Sequence, residues 1–429
     1  MSLTSRPISR RAVLAGGLAG ITLPWLLSAC APEGAGSGTA TSLRYAFWGG
    51  ESRIAKFAAI QDLYTKESGV TFNREFAEFF PYWERFSTQI AARSLPDIVS
   101  MTEQQVGEYA SQLEDLSPYI DSGKLDLSTW GQKYIDAGMV DGRFLQLFLG
   151  GTVPSFIYNK TALDAAGHTD DPNEWSWEQF SDVCVEIAKA GGQDHWGTSD
   201  GGGTSQQFDT FLHQKGKGNF VDGEIGWTPA DLEEFLTLWS DLRDAGGAPP
   251  FEITSEYSAG PFEDREIVRG YTVFQVGNHN HMPGLQGYTD GALYNMTVPV
   301  VGRGERVAMN AGTYVSLAAT GKGKDTAVDY LNWFINTEAA VEIFEAEYGG
   351  LPSADANDTL LPIVSDPARR ALEFFKSVDE IAAVIPPWPP QAAQLLTLIQ
   401  QANESVALGR ESAEAAAKTC FEQISAAVG

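Results

Sequence analysis

Gly197-Thr198-Ser199-Asp200-Gly201 has the G-x-S-x-G spacing of a nucleophile elbow. Such a serine needs a strand-turn-helix setting, an upstream oxyanion loop and a catalytic histidine near the end of the chain. Here Gly202, Gly203 and Thr204 continue the loop, and His281 is the last histidine. A flexible glycine loop reaching a binding cleft is the better account, and a secreted hydrolase using Ser199 is the alternative. His279-Asn280-His281 puts two imidazoles on one face if the segment is extended. With no Cys or acid beside them they make a weak metal signal, so hydrogen bonding to a polar ligand is preferred. No Walker, HExxH or dinucleotide fingerprint occurs, and no metal or other cofactor is expected.

A further reactive group is the thiol of Cys30. Ser9-Arg10-Arg11 precedes an uncharged stretch from Ala12 to Ala29, ending in Leu27-Ser28-Ala29-Cys30. A twin-arginine start, a short apolar run and small residues before a cut site describe an export signal over residues 1–29. Leu-Ser-Ala-Cys resembles a bacterial lipobox, in which the cysteine is lipidated and becomes the new N-terminus. The alternative is a membrane-spanning helix, opposed by Gly16, Gly17, Gly20 and Pro24 and by marginal length. Residues 30–42 are small, polar and glycine-rich, a flexible tether with a reach of roughly 20 Å. The expected location is the extracytoplasmic face of the cell membrane, anchored by lipid at Cys30.

The rest of the chain is long enough for two lobes. Formal net charge is −27, which argues against nucleic acid or anionic lipid as a partner and says little about a small ligand in a local cleft. Besides Cys30 there are Cys184 and Cys420. They can oxidise outside the membrane, but spacing does not settle whether they pair.

Strand and helix patterns alternate from the start. Strands are expected at 43–48, 70–76 and 97–101, separated by helices at 52–68, ended by Gly69, and 81–93. This β-α-β-α-β run signals an open α/β sheet. Apolar runs at 144–149 and 153–158 surround Gly150-Gly151. Helices follow at 161–166, 176–190, 229–244 and 262–269, strands at 271–276, 296–301 and 313–318, and helices at 323–336 and 337–345. After Gly349-Gly350 the chain is mainly helical, interrupted by 385–390.

Four segments resemble the carbohydrate-binding group of extracellular solute-binding proteins of ABC importers. They are Tyr45 to Arg53, Leu95-Pro96-Asp97-Ile98-Val99, Phe156 to Lys160 followed by Trp175 to Phe180, and Tyr348-Gly349-Gly350-Leu351-Pro352. The resemblance implies a two-lobe periplasmic-binding-protein-like α/β fold with a hinge and an interlobe ligand cleft. Lobe 1 would comprise 43–150 and 312–350, and lobe 2 would comprise 151–311 and 351–429. The chain would cross near Gly150–Thr152, near Asn310–Gly312 and near Gly350.

A sugar offers flat C–H faces and forked hydroxyls, so its site needs aromatics and planar polar groups. Trp48, Glu51 and Arg53 follow the first strand, where ligands of such sheets bind; the alternative packs Trp48 in the core and leaves Arg53 on the helix surface. Glu103, Gln104 and Gln105 follow the third strand, and the resemblance places polar contacts there. Tyr82 and Trp83 stand at a helix entry, with one or two of the aromatics from Phe79 onward facing the cleft. His279, Asn280 and His281 follow a later strand where relatives carry a Trp. Trp388 matches a late stacking aromatic, and Thr152 and Asn310 lie at the crossings.

The expected function is capture of a carbohydrate, an oligosaccharide by preference, and its delivery to ABC permease subunits by a monomer, with no bond made or broken. A sensor-docking protein without a permease is a further alternative. An Arg53 in the cleft would fork onto a ligand carboxylate. An Arg53 on the helix surface leaves an amide-rich site for a neutral sugar, which is preferred.

Overall fold

The computed structural model describes residues 40–257, 260–300 and 307–429. Residues 1–39 lie outside the described residues, and with them the expected signal segment, Cys30 and most of the tether.

Strand β1 (Ser42–Trp48) is buried along nearly its whole length, as an interior strand of its sheet. Helix α1 (Glu51–Ser68) follows and ends where Gly69 turns left-handed at φ 78, a conformation that glycine adopts without a Cβ penalty. Strand β2 (Thr71–Ala77), helix α2 (Phe79–Ala91), strand β3 (Ile98–Met101) and helix α3 (Glu103–Tyr109) complete the first lobe's α/β run. Strands β2 and β3 flank β1 in parallel.

Strand β4 (Leu147–Thr152) leaves this lobe and continues through Val153 into β5 (Pro154–Asn159), the centre of a second sheet. That sheet is completed by β6 (Trp196–Thr198), β7 (Thr272–Asn278) and β8 (Leu293–Thr297). Its order is β8-β5-β7-β6, with β5 antiparallel to both neighbours. Between β6 and β7 lie α4 (Ser205–Gln214) and α5 (Pro229–Asp244). Strand β9 (Val307–Leu317) then returns, pairing with β4 and with β3.

The three expected crossings meet at one place. Asn310 pairs with Thr152, and Gly151 bridges Gly350. The glycines are required by close approach: a Cβ on Gly312 would lie 2.0 Å from the Tyr348 carbonyl oxygen. Two large cores flank the crossing, one drawn from residues 43–153 and the returning chain, the other from Phe156 to Ile424.

The boundary at 351 is corrected. Leu351, Leu360, Leu372, Phe375, Val378 and Ala382 pack in the first core, and the second core resumes at Ile385. Helix α6 (Asp366–Val378) explains this, because its one buried stripe, Ala371, Leu372, Phe375 and Val378, packs against both lobes. Leu372 and Phe375 enter the first core, while Ala371 joins Ile157, Met282 and Leu293 of the second lobe. Arg370 on the same helix donates from Nε to the Leu293 carbonyl at 3.0 Å, so α6 braces the crossing. Strand β10 (Ala382–Val384), parallel to the start of β9, leads into helices α7 (Gln394–Ala407) and α8 (Ala413–Val428).

Two expected elements differ. The helix at 262–269 divides into a turn at Phe262–Asp264 and a short helix at Glu266–Arg269, because Arg265 is extended. The strand expected at 296–301 sits earlier, at β8, since Pro299 has no N–H for a ladder. Cys184 and Cys420 are free buried thiols in the second core. Among the described residues no helix is long and apolar enough to cross a membrane.

Candidate functional site

The two lobes enclose a cavity of about 420 Å³ above the crossing strands. Lobe 1 supplies Trp48 from the end of β1, Arg53 from α1, and Glu103 and Gln104 from the start of α3. Lobe 2 supplies Asn278, Asn280 and His281 after β7, and Gln206 from α4. Thr152 and Asn310 form the floor.

Glu103 is deeply buried in it. It is 1% exposed, and its Oε1 accepts from Gln104 Nε2 at 2.8 Å and from Asn310 Nδ2 at 3.2 Å. Its Oε2 has no partner. Burial pushes the carboxyl up to about 7, against the hydrogen bonds, which favour the ionised form. Thr102 Oγ1, Asn280 Oδ1 and Asn310 Oδ1 are likewise buried and unpartnered. Each such atom costs about 1–3 kcal/mol if left unsatisfied, and all four belong to residues that line the cavity.

Arg53 is not on the helix surface as preferred above. Its guanidinium lies 4.1 Å over the Tyr348 ring, with Nε donating to Glu347 Oε1 at 3.2 Å and Nη1 to the Trp48 carbonyl at 3.1 Å. It therefore faces the cleft with its charge compensated by Glu347.

The histidines divide. His279 Nδ1 accepts the Val153 N–H at 3.0 Å, and its ring stacks on Phe375 at 5.5 Å; it holds the crossing together and borders a neighbouring cavity. His281 lines the site, with Nδ1 accepting the Asn278 N–H at 3.4 Å. Both imidazoles are therefore neutral Nε2–H tautomers. Burial pulls His279 down to about 3, helped by His281, and His281 down to about 4, helped by Arg265 and Arg53. Neither supplies positive charge near neutrality.

Trp48 is 6% exposed and borders the cavity from an aromatic cluster with Phe79, Tyr82 and Trp83. Tyr82 is buried with its OH donating to the Ser100 carbonyl at 2.7 Å, and Trp83 stacks on Tyr109 at 6.1 Å. Both support Trp48 and do not line the cavity. Glu51 is exposed in the first turn of α1, and Gln105 on α3 does not line the cavity. The placement of Trp388 is corrected: at 2% exposed it packs against Phe220, at 5.2 Å, in the second core. The prolines around it carry its chain past Glu103, whose carbonyl accepts the Trp388 N–H at 2.8 Å.

The alternative of a nucleophile elbow at Ser199 does not fit the geometry. Ser199 is 2% exposed, and its Oγ accepts from the Val276 N–H at 2.8 Å and from Gln275 Nε2 at 3.0 Å. Asp200 anchors the glycine loop, bonding the Gly202 N–H at 2.8 Å and Arg243 Nη1 at 2.7 Å. The residues build a joint in the second lobe, with no exposed nucleophile.

Gln206, Asn278 and Tyr348 were not singled out from the sequence as ligand residues, and of the aromatics from Phe79 onward it is Phe79 that lines the cavity. The spacing of Phe208, Phe211 and Leu212 was the available sign of α4, obscured by the glycines before it.

A family model described as bacterial extracellular solute-binding protein matches residues 58–371. Among solved structures, an extracellular solute-binding protein family 1 structure from Alicyclobacillus acidocaldarius is 21% identical, with TM-score 0.71 over 91% of this chain and 99% of its own. An ABC substrate-binding protein from Listeria monocytogenes in complex with cycloalternan is 19% identical, with TM-score 0.78 over 90% and 98%. A periplasmic oligogalacturonide-binding protein from Yersinia enterocolitica, in complex with saturated digalacturonic acid, is 16% identical, with TM-score 0.77 over 90% and 100%. These likenesses establish the fold.

Proposed function

This chain belongs to the family of bacterial extracellular solute-binding proteins, and we propose that it captures a neutral oligosaccharide and delivers it to an ABC permease. The observation that carries the reading is the set of unpartnered buried polar atoms on Thr102, Glu103, Asn280 and Asn310, residues that line the same cavity as Trp48. Hydroxyls satisfy such atoms, and the π face of an aromatic ring accepts a sugar's C–H groups. Carbohydrate ligands in similarly folded proteins support the same class.

Neutrality follows from charge compensation. Arg53 is paired with Glu347, and Lys56 with Glu345 and Glu347 at 2.8 and 3.1 Å. A chain of net charge −27 also repels polyanions at long range.

Binding across both lobes would favour a closed form that the permease accepts, a population shift driven by differential affinity. Acylation of Cys30, with residues 30–42 as tether, would keep the protein beside that permease. The test is thermal shift against neutral oligosaccharides, uronates, peptides and amino acids, with the sugar recovered afterwards. A ligand at a hundred times its Kd adds about 2.7 kcal/mol of stability. Stabilisation by a neutral oligosaccharide recovered intact is expected. Stabilisation by peptides alone, or recovery of a cleaved sugar, would overturn the reading.

A further inference from the structure

A second cavity, of about 800 Å³, adjoins the first on the other side of Arg53 and shares Arg53, Asn280 and His281 with it. Arg53, His279, Asn280 and His281 in its lining were candidates from the sequence, whereas Tyr288, Lys56, Glu345 and Glu347 were not. Its lobe 1 wall is a charged network. Lys56 Nζ lies 2.8 Å from Glu345 Oε2 and 3.1 Å from Glu347 Oε2, and Glu347 in turn holds Arg53. Glu345 sits in this wall at φ 54 and ψ −141, a backbone conformation that side-chain-bearing residues rarely adopt. Strain of that kind clusters at ligand clamps, where the surroundings hold it in place.

The lobe 2 wall is aromatic and low. Tyr288 lines the cavity while 53% exposed. Phe262 lies 5.6 Å from the His281 ring and packs on Gly284, where a Cβ would come within 2.4 Å of it. Planar polar groups held rigid on one side and rings on the other are the pairing a sugar chain needs.

We propose that this cavity is a second run of sugar subsites, with Tyr288 as its stacking platform and the Arg53–Glu347–Lys56–Glu345 network as its polar wall. The ligand is then an oligosaccharide long enough to pass Arg53 and occupy both cavities. The proposal rests on the reading of the cleft as a carbohydrate site.

The experiment is calorimetric titration of the full chain with malto-, cello-, xylo- and manno-oligosaccharides, from disaccharide to hexasaccharide. Wild type, Tyr288→Ala and Tyr288→Phe are compared. In the series that binds, wild-type affinity rises with length. Tyr288→Ala loses about tenfold on the longest member and stays within about twofold on the disaccharide, and Tyr288→Phe recovers the loss. Equal losses at every length, no loss at any length, or wild-type affinity that does not grow with length would overturn this proposal alone. A wild type that binds no oligosaccharide would overturn the carbohydrate reading with it.

Discussion

Val153 donates its backbone N–H to His279 Nδ1 at 3.0 Å, and His279 returns its own backbone N–H to the Val153 carbonyl at 3.0 Å. The His279 carbonyl also accepts from Asn295 Nδ2 at 3.2 Å, and its ring rests on Phe375 of α6. One imidazole thus joins the β4–β5 crossing, the end of β7 and the bracing helix. The bond to Val153 requires the neutral ring.

A pH dependence follows with a definite sign. The His279 pKa is held down at about 3, by burial first and His281 second. As pH falls below the ordinary value of about 6.5, the unfolded chain takes up a proton that the folded chain refuses. Stability present in full above that value is lost on acidification, at about 1.4 kcal/mol per pH unit, until about pH 3. His279→Gln keeps an oxygen acceptor for Val153 and removes this slope. Urea midpoints should show the gap between wild type and variant narrowing from pH 7 to pH 4. A gap constant with pH would refute the assignment.

Trp388 is a stability residue. Trp388→Ala is expected to cost about 3–5 kcal/mol in urea unfolding, the range for a buried aromatic, with sugar affinity of the folded fraction unchanged. Trp48→Ala should lower both. Equal affinity losses in the two variants would return Trp388 to the cleft.

The contrast between these tryptophans shows what the sequence could convey. β1 and β3 stood out as short apolar runs and α1 by its stop at Gly69, and Trp48, Glu103 and Gln104, at or just past the carboxyl ends of these strands, line the cavity. The glycines at the crossings were visible as small residues, but their reason, the Tyr348 carbonyl oxygen 2.0 Å from where a Cβ of Gly312 would sit, is a tertiary contact. The double role of α6 was hidden because a single apolar stripe packs on both lobes. Arg53 and Trp388 were misplaced for a related reason. Average exposure says arginine is outside, and position after a proline run says nothing of depth; Tyr348, Glu347 and Phe220 decided both.

Asp200 and Arg243 form a buried ion pair, with side chains 0% and 6% exposed. Asn403 shares Arg243 Nη1 at 3.1 Å, so the pair joins the glycine loop to α5 and α7. Arg243→Met leaves a buried carboxylate without its cation, at a cost of about 3–5 kcal/mol. The double variant with Asp200→Leu should recover part of that loss. Additive losses in a double-mutant cycle would show that the residues do not act as a pair.

Cys30→Ala should leave ligand affinity unchanged and release the protein from membranes, as expected if acylation at this residue is the anchor. Membrane fractionation in which the variant stays bound as wild type does would place the anchor elsewhere.

The charge of the ligand turns on Arg53 and Glu347. A guanidinium facing a cleft would by itself favour a carboxylate, and the preference for a neutral sugar first rested on Arg53 lying outside. With Arg53 inside, neutrality depends on Glu347 at 3.2 Å, since the neutral His281 adds no charge. Wild type should bind neutral oligosaccharides more tightly than the matching uronates, with little dependence on salt. Glu347→Gln removes the compensating charge, and its uronate affinity should rise about tenfold at low ionic strength and fall back as salt screens the attraction. Arg53→Gln should remove that gain in the double variant. A wild-type preference for the uronate that fades with salt and disappears in Arg53→Gln would mean that Arg53 answers to the ligand before it answers to Glu347, and the site would then be one for acidic sugars.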